Sequence, residues 1–194
     1  GAGEALALRR LEQGDRALQA QAWLLFTQAA QGLLADMRGL RERRDIDWPV
    51  QHLDLDTPLG RVVVRGSGRD THEGRSLLIL DLGGDDRYNG PVASVVSLKQ
   101  PFALVLDLDG NDTYRSGAAD APSQGGALWG CALLVDLKGN DTYQAEYGAQ
   151  GAGLGGLRLL VDEEGTDSYR CGQDGQGCGI WGVGMLWDAD GRDF

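Results

Sequence analysis

Aspartates recur in this chain at a spacing that points to cation chemistry. One set is Asp81, Asp107, Asp136, Asp162 and Asp188, separated by 26, 29, 26 and 26 residues. A second set, Asp86, Asp112, Asp141, Asp167 and Asp193, follows the first by five residues each time, and Asp109 lies between the two in its own repeat. If equivalent residues stack at strand spacing, each neighbouring pair of carboxylates repels by about 1 kcal/mol in water and about 3 kcal/mol at an effective dielectric near 20. Three arrangements relieve this: hydrogen bonds from the backbone N–H groups of the turn itself, pairing with arginine, or a divalent metal. The arginines are not periodic with the aspartates, so pairing alone does not suffice. Asx-turn capping is the plain structural reading. Calcium, which takes six to eight oxygens from carboxylates and from the carbonyls that a glycine turn exposes, is the preferred one. All eleven aspartates named here are candidate metal ligands.

The elements that must position them form a repeat. The copies read LLILDLGGDDRY (77–88), ALVLDLDGNDTY (103–114), ALLVDLKGNDTY (132–143), RLLVDEEGTDSY (158–169) and GMLWDADGRDF (184–194). Between them runs a second echo, QGGALWG from Gln124, QGAGLGG from Gln150 and QGCGIWG from Gln176. A degenerate earlier copy ends at His72 with Arg65 in the first-aspartate position, and LDLDTPLGRVVV before it reads as a β-hairpin. This period is too short for a propeller blade and too glycine-rich for helical repeats. It predicts a mainly β fold, a parallel β-solenoid of about five and a half coils over residues 49–194, in which each repeat position becomes a column.

Counting back from the first aspartate, the columns Leu80/Leu106/Val135/Val161/Trp187 and Leu78/Leu104/Leu133/Leu159/Met185 are expected to point inward. The column between them, Ile79/Val105/Leu134/Leu160/Leu186, should then face outward although it is apolar throughout, and such a stripe needs a cover. Tyr88, Tyr114, Tyr143 and Tyr169 form an aromatic column with His72 and Phe194 at its ends, a spine and not a sugar platform.

The turns GGDDRY, DGNDTY, KGNDTY and EGTDSY resemble the tail of the glycine- and aspartate-rich nonapeptide of RTX (haemolysin-type) proteins, as a divergent variant with a period near 26. In that family successive turns of a parallel β-roll bind calcium between them. The resemblance implies that Asp86, Asp112, Asp141 and Asp167 take the family aspartate's place, with Gly84, Gly110, Gly139 and Gly165 the glycine two before it. The chain departs in its longer period, in the leading glycine pair surviving only at Gly83-Gly84, and in the extra aspartate five residues earlier.

Residues 1–48 have different physics. Helix formers dominate Glu4 to Arg44 without a proline; Gly14-Asp15 marks a break with Asp15 as an N-cap, and Trp48-Pro49 closes the segment. Leu18, Ala22, Leu25, Ala29, Leu33, Met37 and Leu40 recur at three- and four-residue steps. This stripe is the expected cover for the outward apolar column, an oligomer partner being the alternative. The cluster Arg38, Arg41, Arg43, Arg44 suits the helix C-terminus.

A net charge of -11 over 194 residues, all of it in residues 51–194, excludes a nucleic-acid backbone or an anionic membrane face as the main partner. The uncharged run Ala17–Ala35 holds four glutamines and a glycine, which argues against a membrane span. Cys131, Cys171 and Cys178 read as small buried residues, with a Cys171–Cys178 disulfide the other reading.

Catalytic signals are weak. Acids recur in every coil, whereas a catalytic site breaks a repeat in one place. The longer turn RSGAADAPSQ offers Arg115, Asp120 and nearby Asp109, and His52 lies close to Asp54 and Asp56. The expected function is a calcium-stabilised extracellular or cell-surface module, structural or adhesive. It would associate with itself or another protein through an open coil end or the outward apolar column, with a glycan as a further partner. The alternatives are a carbohydrate-active β-helix enzyme and a binding module of a larger secreted protein.

Overall fold

Short apolar runs broken every few residues by Asp-Gly turns fold into strands that stack in coils. A computed structural model describes residues 16–41, 52–120 and 122–194. One sheet contains β1 (Leu53–Thr57), β2 (Gly60–Arg65), β4 (Leu78–Asp81), β7 (Phe102–Asp107), β9 (Gly126–Asp136), β11 (Gly153–Asp162) and β13 (Gly179–Asp188), in that order, with β6 (Ser94–Val95) paired to β9. The other contains β3 (Thr71–Glu73), β5 (Arg87–Asn89), β8 (Thr113–Ser116), β10 (Thr142–Tyr147) and β12 (Ser168–Gln173). The chain alternates between the sheets, and from β2 onward every ladder is parallel; only the β1–β2 hairpin, tied at Thr57 and Gly60, is antiparallel. This is the parallel β-solenoid expected from the period. The register matches the sequence repeat residue for residue: Arg65, Asp81, Asp107, Asp136, Asp162 and Asp188 form one row.

The step of 29 residues between Asp107 and Asp136 leaves that row undisturbed. Its extra residues are taken up at a corner after β8, where Ala118–Asp120 forms a 3-10 turn. The Asp120 carboxylate accepts the Gly117 N–H at 2.9 Å and closes that turn.

The inside and outside of the first sheet are inverted relative to the sequence expectation. Val63, Ile79, Val105, Leu134 and Leu160 point inward and pack against the rings of Tyr88, Tyr114 and Tyr143 from the opposite sheet. The outward columns are Leu78/Leu104/Leu133/Leu159 and Leu80/Leu106/Val135/Val161. They are covered by α1 (Arg16–Arg41) through Trp23, Phe26, Ala30, Leu33, Leu34 and Met37. Phe26 stacks on Phe102 with ring centroids 4.6 Å apart, and Arg38 forms an ion pair with Glu163. The helix therefore covers the sheet as expected, but it meets different columns with a rotated face: Leu25 is 66% exposed. The expected helix from Glu4, its break at Gly14-Asp15 and the Trp48-Pro49 boundary lie outside the described residues. None of the described helices is long and apolar enough to cross a membrane. The three cysteines are free thiols, Cys131 buried beneath α1.

The helix does not reach the last strand. On β13, Trp181, Val183, Met185 and Trp187 are exposed, Trp181 at 82%.

Candidate metal centre

Strand alternation dictates what the first aspartate of each repeat does. It lies two residues after the inward Ile79 column, so its carboxylate enters the solenoid interior; Asp81, Asp107, Asp136 and Asp162 are each fully buried. There Oδ1 of Asp81, Asp107 and Asp136 accepts the backbone N–H two residues on, at 3.2 Å in each case. The other oxygen meets the aromatic column. Tyr114 donates to Asp136 Oδ2 at 2.8 Å, Tyr143 to Asp162 at 2.8 Å and Tyr169 to Asp188 at 2.7 Å; Tyr88 bonds Asp107 in the same way. At the N-terminal end His72 replaces tyrosine, with Nε2 2.6 Å from Asp81 Oδ2 and its ring stacked on Tyr88 at 4.5 Å. The tyrosines stack on one another at 4.4 to 4.9 Å. The expected spine is thus also a row of hydroxyl donors. Phe194 does not continue it; its side chain is 82% exposed.

The second aspartate of each repeat links coils. Oδ1 of Asp86 accepts the N–H of Asp70 at 2.5 Å, and Oδ1 of Asp112, Asp141, Asp167 and Asp193 accepts that of the equivalent aspartate one coil earlier at 2.6, 2.6, 2.7 and 3.0 Å. Turn capping, the plain reading of these residues, is therefore half of what they do. The other half is left open, because Oδ2 of Asp86, Asp112, Asp141 and Asp167 is buried with no hydrogen-bond partner.

These oxygens come together in five groups: Asp70–Asp81–Asp86, Asp86–Asp107–Asp112, Asp112–Asp136–Asp141, Asp141–Asp162–Asp167 and Asp167–Asp188–Asp193. Within each, one carboxylate oxygen per residue lies within 4.8 Å of the others. Two oxygens held at 2.3–2.6 Å from one calcium ion stand at most about 5 Å apart. A hard divalent cation thus fits the spacing, the all-oxygen chemistry and the orphaned Oδ2 atoms. Neighbouring groups share an aspartate, so eleven aspartates serve five groups. Five divalent ions would nearly balance their charge.

Without a cation, burial makes several of these carboxyl groups hold protons far more tightly than an exposed carboxylate does. Burial, reinforced by neighbouring carboxylates, pushes Asp86 and Asp141 up to about 8. Burial likewise takes Asp112 and Asp167 to about 6 and Asp162 to about 7, and holds Asp107 and Asp136 well above the usual carboxylate range. Replacing one member by its neutral isostere should therefore help the metal-free chain. In EDTA at pH 8, Asp136→Asn is expected to raise the melting temperature by about 3 °C. At about pH 3, where the wild-type group is largely protonated in both states, the gain should fall to near zero. A variant less stable than wild type at both pH values would show that the crowding is tolerable as it stands.

Ten of the eleven aspartates singled out from sequence belong to these groups. Asp109 does not; it lies on the outer turn near Asn111 and Lys138. Asp70 was missed, because the degenerate first copy has Arg65 where the other repeats have their first aspartate. Two further rows have roles that spacing alone does not assign. Asp85, Asn111 and Asn140 each accept, on their side-chain oxygen, the backbone N–H of the equivalent residue one coil later. Gln124, Gln150 and Gln176, all at φ near +50°, donate Nε2 to the carbonyls of Tyr114, Tyr143 and Tyr169. The second echo in the sequence is this glutamine brace. The other candidate sites have structural occupations. Asp120 caps its own turn, Asp54 is paired with Arg61 and Arg65, and His52 is exposed, 3.6 Å from Asp70. Arg115 lies beside Gly117, Gln144 and Glu146 at a shallow depression distinct from the one at Asp109. Comparison of the chain with family models, curated proteins and solved structures gives no match.

Proposed function

We propose that this chain is a calcium-stabilised β-solenoid module with a structural or adhesive role, working outside the cell or at its surface. The observation that carries the reading is the series of five aspartate groups whose second-row oxygens, at Asp86, Asp112, Asp141 and Asp167, are buried without a partner. Resemblance of the turns to RTX repeats supports calcium as the ion. Buried, oxygen-only sites of this kind fill readily at the millimolar calcium found outside cells. Association is proposed to use exposed apolar surface such as that of Trp181, Val183, Met185 and Trp187 on β13. Sedimentation velocity over a range of protein concentrations tests this part. In calcium the chain should associate progressively, and EDTA should reverse it; discrete monomers at the highest concentration would remove self-association from the proposal. Turnover of any member of a glycan panel, abolished in a folded Asp112→Asn variant, would favour the carbohydrate-active enzyme instead.

A further inference from the structure

Arg158 has no counterpart in the other coils. On β11 it faces inward with Leu160 and Asp162, in a row whose other members are Ala103, Ala132 and Gly184. The residue is 0% exposed. Its Nε donates to the Ala127 carbonyl at 3.0 Å, while Nη1 and Nη2 have no partner. Gly153 makes the arrangement possible, since a Cβ there would come within 2.8 Å of Nε.

A guanidinium keeps its proton in proteins, and a buried charge without a counter-charge is strongly destabilising. Among the described residues no carboxylate acts on this guanidinium. Asp162 is four residues further along β11, about 13 Å at strand rise. The guanidinium runs the opposite way, toward Ala127, the register partner of Gly153. The Cys131 thiol, one of its electrostatic neighbours, is pushed up to about 12 by burial and stays neutral. Gln124 and Gln150 each bury an unpaired Oε1, but these are neutral acceptors. Asp174 is exposed and accepts the Tyr147 hydroxyl.

We propose that Arg158 holds a small monovalent anion of the halide class on Nη1 and Nη2. The site is independent of the aspartate rows and of calcium. Two measurements test it, both in EDTA so that failure of the calcium reading leaves them unaffected. Crystals of the wild-type chain grown in bromide should show an anomalous peak at hydrogen-bond distance from Nη1 or Nη2; a water molecule there, or no anomalous density, overturns the proposal. In melts at constant ionic strength, exchanging a bulky organic anion for chloride should raise the wild-type melting temperature by about 3 °C and saturate. Arg158→Ala places in the row the residue already found at 103 and 132, and should lose that response. An equal chloride response in Arg158→Ala also overturns the assignment.

Discussion

At pH 7.5, millimolar calcium should raise the melting temperature by at least 10 °C over the same chain in EDTA, and magnesium should do much less. For a domain of this size such a shift corresponds to roughly 3–5 kcal/mol. The reason is the state of the carboxyl rows without metal. Asp86, Asp112, Asp141, Asp162 and Asp167 titrate between about 6 and 8 in the folded chain because they are buried, far above an exposed carboxylate. The folded chain therefore keeps protons that the unfolded chain has released. Stability from these groups is complete below about pH 4 and is lost as the pH climbs through 6 to 8. A cation that replaces those protons should remove the loss, so the calcium and EDTA melts should converge at pH 4 and separate toward pH 8. Magnesium prefers to keep several of its waters, and carboxylates this deeply buried leave little room for them. Coincident melts at every pH would mean that protons and turn N–H groups suffice, and the likeness to RTX repeats would be turn chemistry alone.

Gly139→Ala should be among the most damaging single methyls that can be added to the described residues, costing more than about 4 kcal/mol or preventing folding. A Cβ at 139 would fall far inside the Gly110 carbonyl oxygen of the coil before it, and would also crowd Asp141 Oδ1 and Oδ2 at 2.7 and 2.8 Å. Backbone cannot give way there, because Gly139 N–H is itself bonded to the Glu164 carbonyl on the other side. Gly110 and Gly165 stand in the same relation to Gly84 and Gly139. The contrasting substitution is Gly32→Ala on α1, where a Cβ meets nothing within 4 Å. It should stabilise by up to about 1 kcal/mol through helix propensity. Urea unfolding of the pair gives the comparison, and a Gly139→Ala variant within 1 kcal/mol of wild type would show that coil spacing at the turns is looser than described.

The period, the hairpin and the aspartate rows were legible because each is carried by residue identity at a fixed spacing. What failed was phase. Strand alternation says that Ile79 and Leu80 face opposite ways, but with both rows apolar it does not say which faces in. The deciding fact is that the first aspartates, two residues after the Ile79 column, need the donor column of His72 and the tyrosines inside, which is a contact between residues of opposite sheets. The same blindness hid the glutamine brace, because Gln124 works through carbonyls of Tyr114 and Gln144 that no sequence pattern brings near. Asp70 was lost for a simpler reason: its repeat had drifted, and only the stacked turn reveals its place.

The corner at residues 117–123 has a practical meaning. Three extra residues are already accommodated there without shifting a single aspartate, because the surplus is spent on a self-capped 3-10 turn outside the ladders. Length and register are uncoupled at this point, as they also are between β6 and β7. A peptide epitope, tag or reporter loop grafted into this turn would be displayed at a fixed level of the solenoid, with the rows above and below it left in step.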